Sequence, residues 1–165
     1  MLPFLIAATL SAQIAPAPLL VRPGLLRVRI SSALGRSEIE VEIGVLQRQR
    51  STRHYWFRRA SARDGFGPPE YATTAECPIA HDRLESLEQI PMPVPDLPGF
   101  GRESTQIILD GAQYVLETPA LHQDGQSGDL KLTSNVGSPL ARWIDALIAA
   151  LEPCWRPVRP PGLIP

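Results

Sequence analysis

The chain has 165 residues, 44% of them hydrophobic and 20% charged, which excludes a disordered polymer and fits one ordinary domain with a real core. Its net charge of −1 gives no overall pull towards nucleic acid or an anionic membrane. Most of the 18 prolines fall in the N-terminus, in residues 91–98 and in residues 153–165, where they mark tails and connectors.

Residues 1–21 read MLPFLIAATLSAQIAPAPLLV. The apolar run Leu2–Leu10 is shorter than the roughly 20 residues a spanning helix needs, and Pro3, Pro16 and Pro18 break a continuous helix. Small residues follow the run, so the segment reads as a secretory signal peptide cleaved after Ala12 or Ala17, although no Lys or Arg precedes it. The competing reading is an N-terminal strand or helix of the core. Export places one domain, residues 22–157 with a Pro-rich tail at 158–165, in the periplasm or outside the cell, with no transmembrane span in the mature protein. In that oxidising compartment the two cysteines, Cys77 and Cys154, predict a disulfide.

Two alternating segments come first. Leu26, Val28 and Ile30 share one side of a strand, with Arg27 and Arg29 on the other; Ile39, Val41, Ile43 and Val45 oppose Glu38, Glu40 and Glu42 in the same way. A turn at Leu34-Gly35 makes them a hairpin that pairs Ile30 with Ile39, Val28 with Val41 and Leu26 with Ile43. The same register sets Arg29 against Glu40 and Arg27 against Glu42; a one-residue slip would put valines opposite glutamates, so the pattern selects this register or one two residues away. Thr52–Ala60 is a third strand, and Ser61–Cys77, rich in Gly and Pro, reads as an irregular loop. Pro78–Ile90 carries a modest helical stripe, ended by Pro91.

Asp110-Gly111 between two apolar runs predicts a tight hairpin, with Leu109 against Ala112 and Ile107 against Tyr114. Ala120–Gly128 is a polar loop and Leu130–Ser134 a short strand. Ser138 and Pro139 then open the clearest helix, whose stripe is Leu140, Trp143, Ile144, Leu147, Ile148 and Leu151. The expected fold is α+β: an antiparallel sheet of about six strands, in the order βββ-α-βββ-α, with two helices packed on one face. A disulfide between the start of the first helix and the end of the second requires antiparallel helices.

Chemical signatures are sparse. The sequence has no Gly-x-Ser-x-Gly elbow, no phosphate-binding Gly loop, no dinucleotide fingerprint and no Cys-x-x-Cys pair. Ser138 is explained by helix capping. His122-Gln123-Asp124 and His81-Asp82 lack a recognised metal-site spacing, and no cofactor is expected. Charge is uneven in one place: ten arginines and only three acids lie between Arg22 and Arg63. Arg48, Arg53, Arg58 and Arg59, interleaved with Trp56, are the candidate anion or partner surface. Export makes nucleic acid a poor target, so the partner expected there is an anionic glycan or an acidic protein surface. The alternative is a solvated strand whose arginines pair with acids elsewhere in the fold. The expected function is a non-catalytic exported binding protein; a small hydrolase assembled only in the fold, or an accessory subunit of an envelope complex, are the alternatives.

Overall fold

A computed structural model describes residues 24–32, 38–49, 52–62, 67–91, 111–121, 126–161 and 163. Residues 1–23, the Leu34-Gly35 turn and the 158–165 tail beyond residue 163 lie wholly outside these, as do His122 and Asp124.

The described chain forms six strands and two helices: β1 (Leu26–Ser31), β2 (Glu38–Gln49), β3 (Thr52–Ala62), β4 (Glu70–Thr73), α1 (Pro78–Glu85), β5 (Gln113–Leu121), β6 (Ser127–Asn135) and α2 (Pro139–Leu151). The strands build one sheet in the order β4-β3-β2-β1-β5-β6, with every neighbouring pair antiparallel. The α+β fold with a six-stranded sheet and two helices is therefore as the sequence predicts, and β1 and β2 pair in the predicted register, Leu26 with Ile43 through Ile30 with Ile39.

Among the described residues four strands precede α1, one more than predicted, and two follow it; the strand predicted before Asp110-Gly111 lies outside the described residues. The Ser61–Cys77 segment contains β4, whose four residues, Glu70–Thr73, are too few to show a period and follow Pro68-Pro69. β4 is an edge strand, and residue Arg156 of the C-terminal segment covers that edge, exchanging both backbone hydrogen bonds with Tyr71 at 2.8 Å. The predicted pairing of Tyr114 with Ile107 gives way, at Tyr114, to two other neighbours. Tyr114 sits opposite Ile30 of β1 on one side and Ser134 of β6 on the other, so both edges of β5 are taken. Ile107 and Leu109 themselves lie outside the described residues. The hairpin that does form joins β5 to β6.

One face of the sheet carries Leu26, Val28, Val41, Ile43, Tyr55, Phe57, Ala72, Tyr114 and Leu116, all buried beneath the helices. α2 supplies Leu140, Trp143, Ile144, Leu147 and Leu151 to this core, as its stripe predicts. Its N-cap is Ser138, whose Oγ accepts from the Ala141 amide at 3.0 Å. Cys77, at the N-cap of α1, is bonded to Cys154, just past α2, with Cα atoms 6.0 Å apart. Trp143 Nε1 donates to the Arg83 carbonyl at 2.8 Å near the other end of α1. These two contacts fix the helices as antiparallel.

Each helix is also anchored by a core tyrosine. Tyr55 Oη donates to Glu85 of α1 at 3.0 Å, and Tyr114 Oη to Asp145 of α2 at 3.0 Å. The phenol heads thereby reach polar partners while the rings stay in the core.

Candidate functional site

Residues along a strand alternate between faces, and this decides the fate of the arginine-rich segment. Trp56 pairs with Gly44 and Arg58 with Glu42, so both lie on the face opposite the helices; Tyr55, Phe57 and Arg59 lie on the helix face. Arg53 shares the parity of Arg59. Arg58 and Arg59 thus never meet on one surface, and only the backbone register of Arg48, opposite Arg53, is described.

Each placed arginine has local partners. Arg58 is 3.5 Å from Glu42. Arg59 donates from Nε and from its terminal nitrogen to Glu70, at 2.9 and 2.7 Å, and a further nitrogen reaches Glu152 beyond α2. Its guanidinium stacks 4.7 Å from the centroid of Trp155, whose Nε1 donates to the same Glu152 at 3.0 Å. Arg59 is therefore a strut between β3, β4 and the C-terminal segment. Arg53, exposed, has its pKa raised chiefly by a hydrogen bond to Tyr55, with Glu85 and Glu88 adding to it. Trp56, in spite of its place on the open face, is buried, and its ring is not a stacking platform.

The open face is a ladder of alternating charge. Tyr71, Arg58, Glu42, Arg27, Glu117 and Lys131 stand opposite one another in turn, one from each strand. Arg29 lies 2.9 Å from Glu38 and 3.1 Å from Glu40, and Arg27 reaches Glu40 at 3.7 Å while Glu42 pairs with Arg58. Lys131 is 3.0 Å from Glu117, which lowers the Glu117 pKa through that hydrogen bond. A shallow groove of about 520 Å³ crosses this face near Gly24, Arg27, Glu42 and Lys131. Most of its charged walls, Arg27, Glu42, Glu117 and Lys131, are engaged in ion pairs on this face, and with Asp129 the groove carries three acids against two bases, which does not favour an anionic ligand.

Among the described residues, the two helices cover the β5–β6 side of the helix face only in part, with Leu130 and Leu132 half-buried. A cavity of about 310 Å³ opens there, lined by Leu87, Ile90, Pro91, Leu116, Leu130, Leu132 and Leu140, with Thr118, Thr133, Ser134 and Ser138 as its polar members. Ser138 Oγ and Ser134 Oγ are 2.9 Å apart and satisfy one another. None of the described lining residues is titratable. The volume falls at the lower end of the roughly 300–1,000 Å³ of small-molecule sites, and mostly apolar walls with a few hydroxyls are what such sites present.

His81 lies on the surface of α1, 5.9 Å from the Tyr55 ring and 4.0 Å from Glu85. Among the described residues, no three His, Cys, Asp or Glu side chains gather as a metal site, and no helix is long and apolar enough to cross a membrane. Sequence reasoning missed the cavity. Its one trace in the sequence is Leu130 and Leu132, an apolar pair at strand spacing with no facing helix stripe assigned to them. No family model, no curated protein and no solved structure matches the chain.

Proposed function

We propose that this is an exported, non-catalytic binding protein that takes an apolar ligand, a short acyl chain or comparable hydrocarbon group, in the cavity between β5, β6 and the helix ends. The observation that carries this reading is the cavity of about 310 Å³ with six Leu and Ile side chains in its wall. Apolar surface there would leave water on binding, at about 25 cal/mol per Å². The hydroxyls of Thr118 and Ser134, on the helix face, would orient a polar head at the rim.

Export is supported by the Cys77–Cys154 bond, which suits an oxidising compartment, and by the apolar leader-like residues 1–21. Mass spectrometry of the protein from its native host should show a mature N-terminus between residues 12 and 22; an intact Met1 in the soluble fraction contradicts export. Arg58 and Arg59 are paired locally and lie on opposite faces of the sheet, which argues against a receptor for anionic glycans built on β3.

The test of the cavity is a titration with a fluorescent apolar probe such as phenylnaphthylamine, competed by fatty acids of increasing chain length. Saturable binding that Leu132→Asn weakens about tenfold, with the melting curve still cooperative, supports the reading. Absence of saturable binding by the wild-type protein overturns it. Heparin at low salt is the control, and no binding is expected.

A further inference from the structure

The outer edge of β6 ends the sheet, and no other described residue pairs with it. Nine residues long, the strand alternates strictly, with Asp129, Lys131 and Thr133 exposed on the open face and Leu130 and Leu132 half-buried on the helix face. An edge of this length presents a row of backbone donors and acceptors to another strand. We infer that its occupant is a second copy of the same strand, paired antiparallel about a twofold axis through Leu130.

The register follows from charge and from facing. A twofold axis normal to the sheet keeps both helix layers on one side, so only pairings that match faces are allowed. Centred on Leu130, Asp129 of each copy stands opposite Lys131 of the other, Ser127 opposite Thr133, and the two Leu130 side chains meet. Centred on Lys131, the two lysines stand opposite one another, and like charges directly opposed are destabilising. Centred on Leu132, Asp129 meets Asn135 and Lys131 meets Thr133, and both ionic pairs are lost. The sequence Ser127–Thr133 is thus self-complementary in one register.

This pairing also bears on the cavity. Leu130 and Leu132 form its outer wall, and Leu130 of the second copy would extend that wall across the axis. A single pair of strands buries less than the roughly 1,000 Å² of a stable interface, so the dimer is a weak one that assembles in the micromolar range. The inference does not depend on what the cavity binds.

Sedimentation velocity from low to high micromolar protein provides the test. The wild-type chain should shift from monomer to dimer. Asp129→Lys alone and Lys131→Asp alone should each weaken self-association about tenfold, because each opposes like charges twice. An equimolar mixture of the two variants should restore the dimer, since the lysines of one variant then stand opposite the aspartates of the other at both pairs. Leu130→Cys, at the axis, should cross-link to a covalent dimer under mild oxidation faster than Thr133→Cys, which faces Ser127; this arm holds even if a charge variant folds poorly. A wild-type chain that stays monomeric overturns the inference, as does a dimer indifferent to both charge changes or a mixture that fails to associate. A monomer that still binds the apolar probe removes the dimer and leaves the cavity reading standing.

Discussion

Trp56 and Gly44 stand opposite one another on β3 and β2, on the face away from the helices, and the indole occupies the space where a side chain at 44 would be. A Cβ at position 44 would lie 2.5 Å from three atoms of the ring. The glycine is thus required by a close approach and not by an unusual backbone angle. Trp56 is 3% exposed, and its Nε1 has no hydrogen-bond partner among the described residues.

Gly44→Ala should therefore displace the indole or bend β2, at about 1–3 kcal/mol, the usual cost of overpacking. The same substitution on a Trp56→Leu background should cost much less, because the shorter side chain leaves the space free. Chemical denaturation of the two single variants and the double variant measures the coupling. Additive losses would show that the contact between these residues is not what limits position 44.

The parts of the fold that could be read from the sequence are those in which two independent patterns agree. In β1 and β2 the apolar alternation and the Arg–Glu alternation both exclude a one-residue slip, and the structure adopts one of the two registers they allow; α2 has a capping serine as well as a full stripe. β4 has four residues and no pattern, so only its neighbours define it. The placement of β5 between β1 and β6 is a long-range choice. Asp110-Gly111 signals a local turn whose first arm lies outside the described residues, while Gln113–Leu121 has β6 along one edge and β1 along part of the other. The arginine cluster was dense in sequence, yet adjacency along a strand sends Arg58 and Arg59 to opposite faces. The cavity depends on how far two helices reach across six strands, which no local pattern encodes.

The two tyrosine anchors predict a response to alkali. Burial is the first cause that raises the pKa of Tyr55 and of Tyr114, and the bonds to Glu85 and Asp145 act in the same direction, with Arg53 opposing them at Tyr55. In both, the folded state favours the neutral phenol. The stability this contributes is whole below the ordinary tyrosine value, about 10, and is lost as pH rises through the higher folded values. Tyr114→Phe should lower stability at neutral pH by about 1 kcal/mol and flatten the fall above pH about 10. Urea denaturation across that range, with phenolate absorbance followed in parallel, reads both effects. A variant as alkali-sensitive as the wild type would show that Tyr114 is not one of the groups responsible.

The Cys77–Cys154 bond closes a loop of 77 positions that contains α1, β5, β6 and α2. In the chain-entropy view a loop of this length restricts the unfolded state by about 4 kcal/mol, a large share of a typical 5–15 kcal/mol total. Its position matters as much as its length. It joins the N-cap of α1 to the turn after α2, beside Trp155 and the Arg59–Glu152 contact, so one covalent bond fixes the antiparallel helix pair and the segment that covers β4. Reduction should lower the melting temperature clearly, and the Cys77→Ser, Cys154→Ser double variant should match the reduced protein. Loss of the bond should free the C-terminal segment first, since Arg156 holds β4 through one pair of backbone hydrogen bonds. Amide exchange should then rise at Tyr71 and Arg156 before it rises in β1 and β2. Thiol counting on the unfolded, unreduced protein gives the direct check, with no free thiol expected. Two free thiols would show that the bond is not formed, and uniform exchange after reduction would show that it stabilises the molecule as a whole and does not pin this corner.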